Sequence, residues 1–153
     1  MNQDFRDFFA LLTRHGVEFV VIGGVAYNFH APPRATKDID LWVRPTPENA
    51  EALIRAIREF GFPTGELDAD ALLSDPGRVL ILGRAPNRID VLLRPKGVHW
   101  EETRGGQIPT QYGDVEIRIL SLPDLIRSKR AAGRPQDLVD AANLERIAKR
   151  RAH

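Results

Sequence analysis

Asp38-Ile39-Asp40, inside the run Lys37-Asp38-Ile39-Asp40-Leu41-Trp42-Val43, sets two carboxylates two residues apart in a stretch that reads as one strand. Alternate side chains of a strand share a face, so Asp38 and Asp40 point one way while Ile39, Leu41 and Val43 point the other, toward a core. Two like charges on one face call for a cation. The expected one is Mg²⁺, or Mn²⁺ in its place, because Mg²⁺ is held by one or two carboxylates while waters and substrate phosphates fill its octahedron. A third acid, Asp90, lies in Asn87-Arg88-Ile89-Asp90-Val91-Leu92-Leu93 on the face opposite Ile89, Val91 and Leu93. An acid within an apolar strand needs either an ion-pair partner or a metal. Three carboxylates on neighbouring strands suit a two-metal site, with ions about 3.5–4 Å apart clamping the attacking and leaving oxygens of a phosphoryl or nucleotidyl displacement.

Gly23-Gly24 falls between a strand and a short helix. Glycine there lets the backbone approach a ligand, and the helix N-terminus offers unpaired N–H groups to phosphate; a tight turn with no ligand is the plain alternative.

The elements that must position these groups follow from periodicity and punctuation. Residues 4–15 carry apolar side chains at helical spacing and stop at Gly16; residues 17–22 form a short β-branched strand, and 25–30 a short helix ending at Ala31-Pro32-Pro33. After the paired-acid strand at 38–43, Thr46-Pro47-Glu48 opens an amphipathic helix that Gly61 closes. A short helix at 67–74 is followed by a hairpin of strands at 78–82 and 88–93, then a strand at 115–120. Ser121-Leu122-Pro123-Asp124 starts a helix closed by Gly133, and Pro135 opens a last helix to about residue 150. Strands interleaved with helices predict an α/β (α+β) domain, a small mixed sheet flanked by helices with a C-terminal helical pair.

With 153 residues, 42% hydrophobic and 28% charged, the chain fits one domain, its core at about 5–120 and its C-terminal helices at about 121–150. The lack of cysteine excludes disulfides and thiolate metal sites. No apolar run approaches a membrane span, and the acidic start is unlike a signal peptide, so the expected location is cytoplasmic, with no membrane partner. The net charge of +1 conceals an asymmetry: residues 118–151 hold nine basic and four acidic side chains, the remainder thirteen and seventeen. That basic segment is either a solvated helix face or a surface for polyanions such as RNA. His15, His30, His99 and His153 show no ligand spacing. Trp42, on the acid face of its strand, belongs either to the core or to a base-stacking platform; Tyr27 and Trp100 are equally open. Neither a Walker A loop nor a Gly-x-Ser-x-Gly elbow is present.

Taken together, Gly23-Gly24-Val25-Ala26-Tyr27, Arg34-Ala35-Thr36-Lys37-Asp38-Ile39-Asp40-Leu41, Asn87-Arg88-Ile89-Asp90 and Lys129-Arg130-Ala131-Ala132-Gly133-Arg134-Pro135-Gln136-Asp137 resemble the DNA polymerase β-like nucleotidyltransferase superfamily. The nearer likeness is to its small prokaryotic branch, which includes abortive-infection-type toxins of toxin–antitoxin pairs, and it spans about residues 5–145. The resemblance implies a minimal nucleotidyltransferase fold and transfer of an NMP from an NTP to an acceptor hydroxyl, on RNA or tRNA, a protein or a small molecule. It implies that Asp38 and Asp40 bind both metals, that Asp90 binds the one activating the hydroxyl, and that Gly23 and Gly24 line the triphosphate. Arg34, Thr36 and Lys37 would touch phosphates or acceptor, or lie in solvent. Lys129 would reach the triphosphate, or be a surface lysine; Arg134 and Asp137 match the family pattern, or join the last two helices as an ion pair or cap. Gly24 stands where many relatives have serine, leaving backbone N–H groups as phosphate donors. A cognate antitoxin or a second copy would complete the cleft. The rival expectation is a non-catalytic, partner-binding module of the same fold.

Overall fold

The structure is a computed structural model describing residues 1–36, 38–75 and 77–152. Lys37 and His153, both considered above, lie outside the described residues.

The chain runs α1 (Gln3–Arg14), β1 (Phe19–Ile22), α2 (Gly23–His30), β2 (Asp38–Val43), α3 (Pro47–Phe60), α4 (Ala69–Ser74), β3 (Val79–Leu82) and β4 (Arg88–Leu92). It continues through α5 (Trp100–Thr103), a 3₁₀ turn (Arg104–Gly106), β5 (Ile108–Tyr112), β6 (Val115–Ile119), α6 (Leu122–Ala132) and α7 (Pro135–Arg151). The helix ends follow the predicted caps. Thr46 and Ser121 each accept from the backbone three residues on, while Gly61 and Gly133 close their helices in the left-handed conformation, at φ 102° and 70°.

Six strands form one mixed sheet in the order β3-β4-β2-β1-β6-β5. β1 pairs antiparallel with β2, β2 parallel with β4, β4 antiparallel with β3, and β6 runs parallel to β1 and antiparallel to β5. The result is a mixed α/β fold with a small sheet, flanking helices and a C-terminal helical pair. The sequence pattern predicts neither β5 nor the short α5. Proline at 109 weakens the strand signal of β5, which has no fully buried residue and forms as an edge against β6.

Register decides which side chains share the acid face. Ile22 lies opposite Asp40, Asp40 opposite Asp90 and Asp90 opposite Ile81, forming one row across four strands. The reverse face, carrying Phe19, Ile39, Leu41 and Val43, is closed by α1, whose Phe9 stacks on Phe19 with centroids 5.8 Å apart. Helices α2, α6 and α7 contact one another, and Leu125 of α6 shares a cleft with Asp40 on the acid face. Among the described residues no helix is long and apolar enough to cross a membrane.

Candidate active site

Strand β1 hands over directly to α2 at Gly23, so the two glycines form the first helical turn rather than preceding it. Gly23 has φ 67°, and a Cβ there would lie 2.1 Å from Asp40 Oδ2 and 2.8 Å from its Cγ. Only glycine allows this turn to close against the acid. No side chain caps the N-terminus of α2, which leaves its first N–H groups for an anion. At Gly24 a Cβ would meet Thr36 Oγ1 at 2.7 Å, so the threonine hydroxyl fills the place a residue-24 side chain would need. Thr36 already donates that hydroxyl proton to the Asp38 carbonyl oxygen at 2.9 Å, leaving it only acceptor capacity.

Asp38 and Asp40 occupy one face of β2, and β4 places Arg88 opposite Asp38 and Asp90 opposite Asp40. Burial, then the like charges of Asp90 and Asp38, push the Asp40 carboxyl up to about 6, against the opposite pull of Lys129 and Arg134. Asp90 is itself 9% exposed and is gripped by a fork: Arg88 Nε donates to Oδ1 at 2.8 Å and Nη2 to Oδ2 at 2.9 Å. That hydrogen-bonded fork, with the charge of Asp90 behind it, raises the Arg88 pKa above its ordinary value. The acid in the apolar strand therefore has its ion pair. Among the described residues no three His, Cys, Asp or Glu side chains already converge around a common metal position. The donor set nevertheless suits a hard divalent cation: the oxygens of Asp38 and Asp40 share a face, and a cation there would offset the burial and the like charges that raise Asp40.

A cleft of about 530 Å³ opens beside Asp40 and is lined by Gly23, Gly24, Arg94, Lys96, Lys129 and Arg134 among others. Arg94 and Lys96, in the segment after β4, were not singled out from the sequence, where isolated basic residues in a loop carry no pattern. Both are exposed, and among the described residues neither has a carboxylate within ion-pair distance. A second recess of about 410 Å³, lined by Thr13, Glu18, Phe19, Trp100 and Arg104 among others, holds none of the candidate acids, glycines or basic residues.

Lys129, which lines the cleft, and Arg34, which does not, converge from different elements on Asp140 of α7. Arg34 Nη1 and Nη2 reach its two carboxylate oxygens at 2.6 and 2.8 Å, Lys129 Nζ donates to Oδ2 at 2.9 Å, and Gln136 donates to Oδ1 at 2.9 Å. Burial alone would raise the Asp140 carboxyl, but these donors more than offset it and hold it at about 2. Arg34 also lies over the Tyr27 ring, 4.2 Å from its centroid. Lys129 is largely buried, with Asp137 Oδ1 a further 3.6 Å away, so it lines the cleft wall as part of a strut and not as a free surface lysine. Arg134 pairs with Asp137 through Nε at 2.7 Å, and the same carboxylate accepts the Arg134 backbone N–H at 3.3 Å. Cap and ion pair thus coexist, while most of the Arg134 side chain remains exposed at the cleft.

Trp42, His15 and His30 hold structural places. Trp42 is 1% exposed, donates its indole N–H to the Leu93 carbonyl oxygen at 3.0 Å and meets Trp100 edge-on, which removes it as a base platform. His30 is buried with Nε2 2.9 Å from the Leu120 carbonyl oxygen, His15 pairs with Glu59, and His99 precedes α5. No family model matches the chain, and no curated protein is significantly similar to it in sequence.

Proposed function

We propose that the chain is a nucleotidyltransferase of minimal polymerase β-like fold that moves an NMP from an NTP to an acceptor hydroxyl, releasing pyrophosphate. One observation carries this reading. The glycine turn opening α2 is pressed against Asp40, whose register partner is Asp90, at the edge of a cleft with basic walls.

Asp38 and Asp40 would hold Mg²⁺ or Mn²⁺, with Asp90 as the third ligand. When bound, the metal supplies charge neutralisation on the phosphate oxygens and on the attacking and leaving oxygens. The first N–H groups of α2 donate to the triphosphate, and the bare turn at Gly23 lets them stand directly beside Asp40. Arg134, exposed in the cleft, neutralises phosphate charge alongside the electropositive turn. The acceptor oxygen attacks the α-phosphorus, the bond from that phosphorus to the pyrophosphate oxygen breaks, and Asp90 takes the hydroxyl proton. Catalysis then consists of positioning and electrostatics, as in other phosphoryl transfers.

Arg94 and Lys96 in the cleft wall favour an anionic acceptor such as RNA or tRNA over a polycationic small molecule. The second reading, a non-catalytic module bound by an antitoxin or a second copy, draws on the Arg88 fork and on Val79 and Ile81, 42% and 58% exposed on the edge strand β3. Purified protein with Mg²⁺ or Mn²⁺, each α-labelled NTP, and total RNA plus protein separates the two. Label entering a macromolecule with the intact chain but not with Asp38→Asn/Asp40→Asn supports transfer. No label, together with a mass increase on size exclusion with the adjacent gene's product, supports the module.

A further inference from the structure

Four charged groups stand at the corners of a rectangle on the parallel strands β2 and β4: Asp38 faces Arg88, and Asp40 faces Asp90. Three corners are carboxylates and the fourth is a cation supplied by the chain itself. Both oxygens of Asp90 are engaged by Arg88, at 2.8 and 2.9 Å, so neither is free of the guanidinium. A forked Arg–carboxylate pair is among the stronger and more directional polar contacts. With Asp90 held in this way, the three acids on this face do not converge as a cage among the described residues. The Arg88 side chain is 39% exposed whereas that of Asp90 is 12% exposed, so the arginine is the partner with room to leave.

We propose that Arg88 is an internal counter-ion that competes with the divalent metal for Asp90, so that recruiting Asp90 as a metal ligand requires the fork to open. Arg88 is then a positioning residue. It neutralises Asp90 in the metal-free protein, and once displaced it turns its guanidinium to an anion on the same face, the phosphate of an incoming nucleotide. The inference rests on the reading of Asp38, Asp40 and Asp90 as metal ligands. It differs from that reading in predicting that removal of a basic residue two positions from a ligand tightens metal binding.

The test is Mn²⁺ binding without turnover, by calorimetry and by loss of the free-ion EPR signal, on wild type, Arg88→Gln, Arg88→Lys and Asp40→Asn. Arg88→Gln is expected to bind Mn²⁺ about tenfold more tightly than wild type, since a charged bidentate competitor is gone, with Arg88→Lys between them. The gain should vanish in Asp90→Asn/Arg88→Gln relative to Asp90→Asn, which ties the effect to that carboxylate and not to general surface charge. Equal Mn²⁺ affinity in wild type, Arg88→Gln and Arg88→Lys, with Asp40→Asn abolishing binding, overturns the counter-ion role and leaves the metal site standing. No Mn²⁺ binding in wild type and in both Arg88 variants overturns both. Arg88→Lys, which keeps the positive charge, serves as the folded comparison if Arg88→Gln does not accumulate.

Discussion

The acid row on β2 and β4 and the knot around Asp140 in α7 are built from the same residue types and balanced in opposite ways. Around Asp40, burial and two neighbouring carboxylates outweigh the charges of Lys129 and Arg134, and the carboxyl rises to about 6. Around Asp140, a guanidinium, an ammonium and an amide converge on one carboxylate, and it falls to about 2 despite being fully buried. The difference separates a site from a strut: electrostatic strain left unrelieved in the fold is where a ligand gains most, whereas a saturated cluster holds elements together. The knot ties the segment before β2, through Arg34, to α6 and α7. The strained row is therefore held in place by the satisfied one.

The largest expected effect comes from breaking the knot. Asp140→Ala removes the shared acceptor of Arg34 and Lys129 and is expected to cost about 2–4 kcal/mol in denaturant unfolding, less than a fully buried pair because Arg34 can turn to solvent and Lys129 keeps Asp137 3.6 Å away. In the wild type the same interaction is fully present above the ordinary carboxylate value of 3.8 and is lost as pH falls toward about 2, because the folded state holds Asp140 ionised longer than the unfolded chain does. A wild-type acid melt showing no such loss, or an Asp140→Ala protein as stable as its parent, contradicts the strut.

Gly23→Ala probes the contact between turn and acid. With φ 67° and Asp40 Oδ2 only 2.1 Å from the new Cβ, the backbone must shift, at an expected cost of about 1–3 kcal/mol. Metal-dependent stabilisation should fall with it, as read by thermal melts with and without Mn²⁺.

Asp40→Asn should act in the other direction. An ionised Asp40 is unfavourable in the fold, so the substitution is expected to stabilise the metal-free protein by about 1–2 kcal/mol at pH 7, allowing for partial solvent screening. The wild type bears this penalty in full above about pH 6 and sheds it as pH falls toward 3.8, so the advantage of the variant should fade over that window. Added Mn²⁺ should raise the wild-type melting temperature and leave the variant unmoved. Destabilisation by Asp40→Asn at pH 7 would place Asp40 with the struts.

Arg134 belongs to both regions, capping α7 through Asp137 while facing the cleft, and its replacement should have the smallest effect on folding. Arg134→Ala is expected to cost less than about 1 kcal/mol, in the range of exposed ion pairs. NTP affinity measured by calorimetry should drop in the same variant. Unchanged NTP affinity would confine Arg134 to the cap.

Local signals in the chain mark much of the fold. The caps at Thr46 and Ser121, the stops at Gly61 and Gly133, and the alternation through 38–43 and 88–92 depend on interactions within a few residues, and the elements form there. β5 escaped because an edge strand is held by its partner β6 and not by its own pattern. Within the site, the shared face of Asp38 and Asp40 follows from the two-residue period alone. The strand period likewise puts Arg88 and Asp90 on one face, but nothing in it says that the two side chains will grip each other.

What the sequence by itself determined is therefore what short-range geometry controls: strand faces, helix ends and a glycine turn entering α2. Tertiary structure decided the alignment of Asp40 with Asp90, the press of Gly23 on Asp40, and the convergence of Lys129 and Arg34 on Asp140, a residue 106 positions from Arg34. Of the Arg34–Asp140 pair only Asp140 is fully buried, while Arg34 stays exposed as it reaches in. Tertiary structure also decided which carboxylates are strained and which are satisfied. Charge balance at a buried group is set by every element packed around it, and no local stretch of chain contains that information.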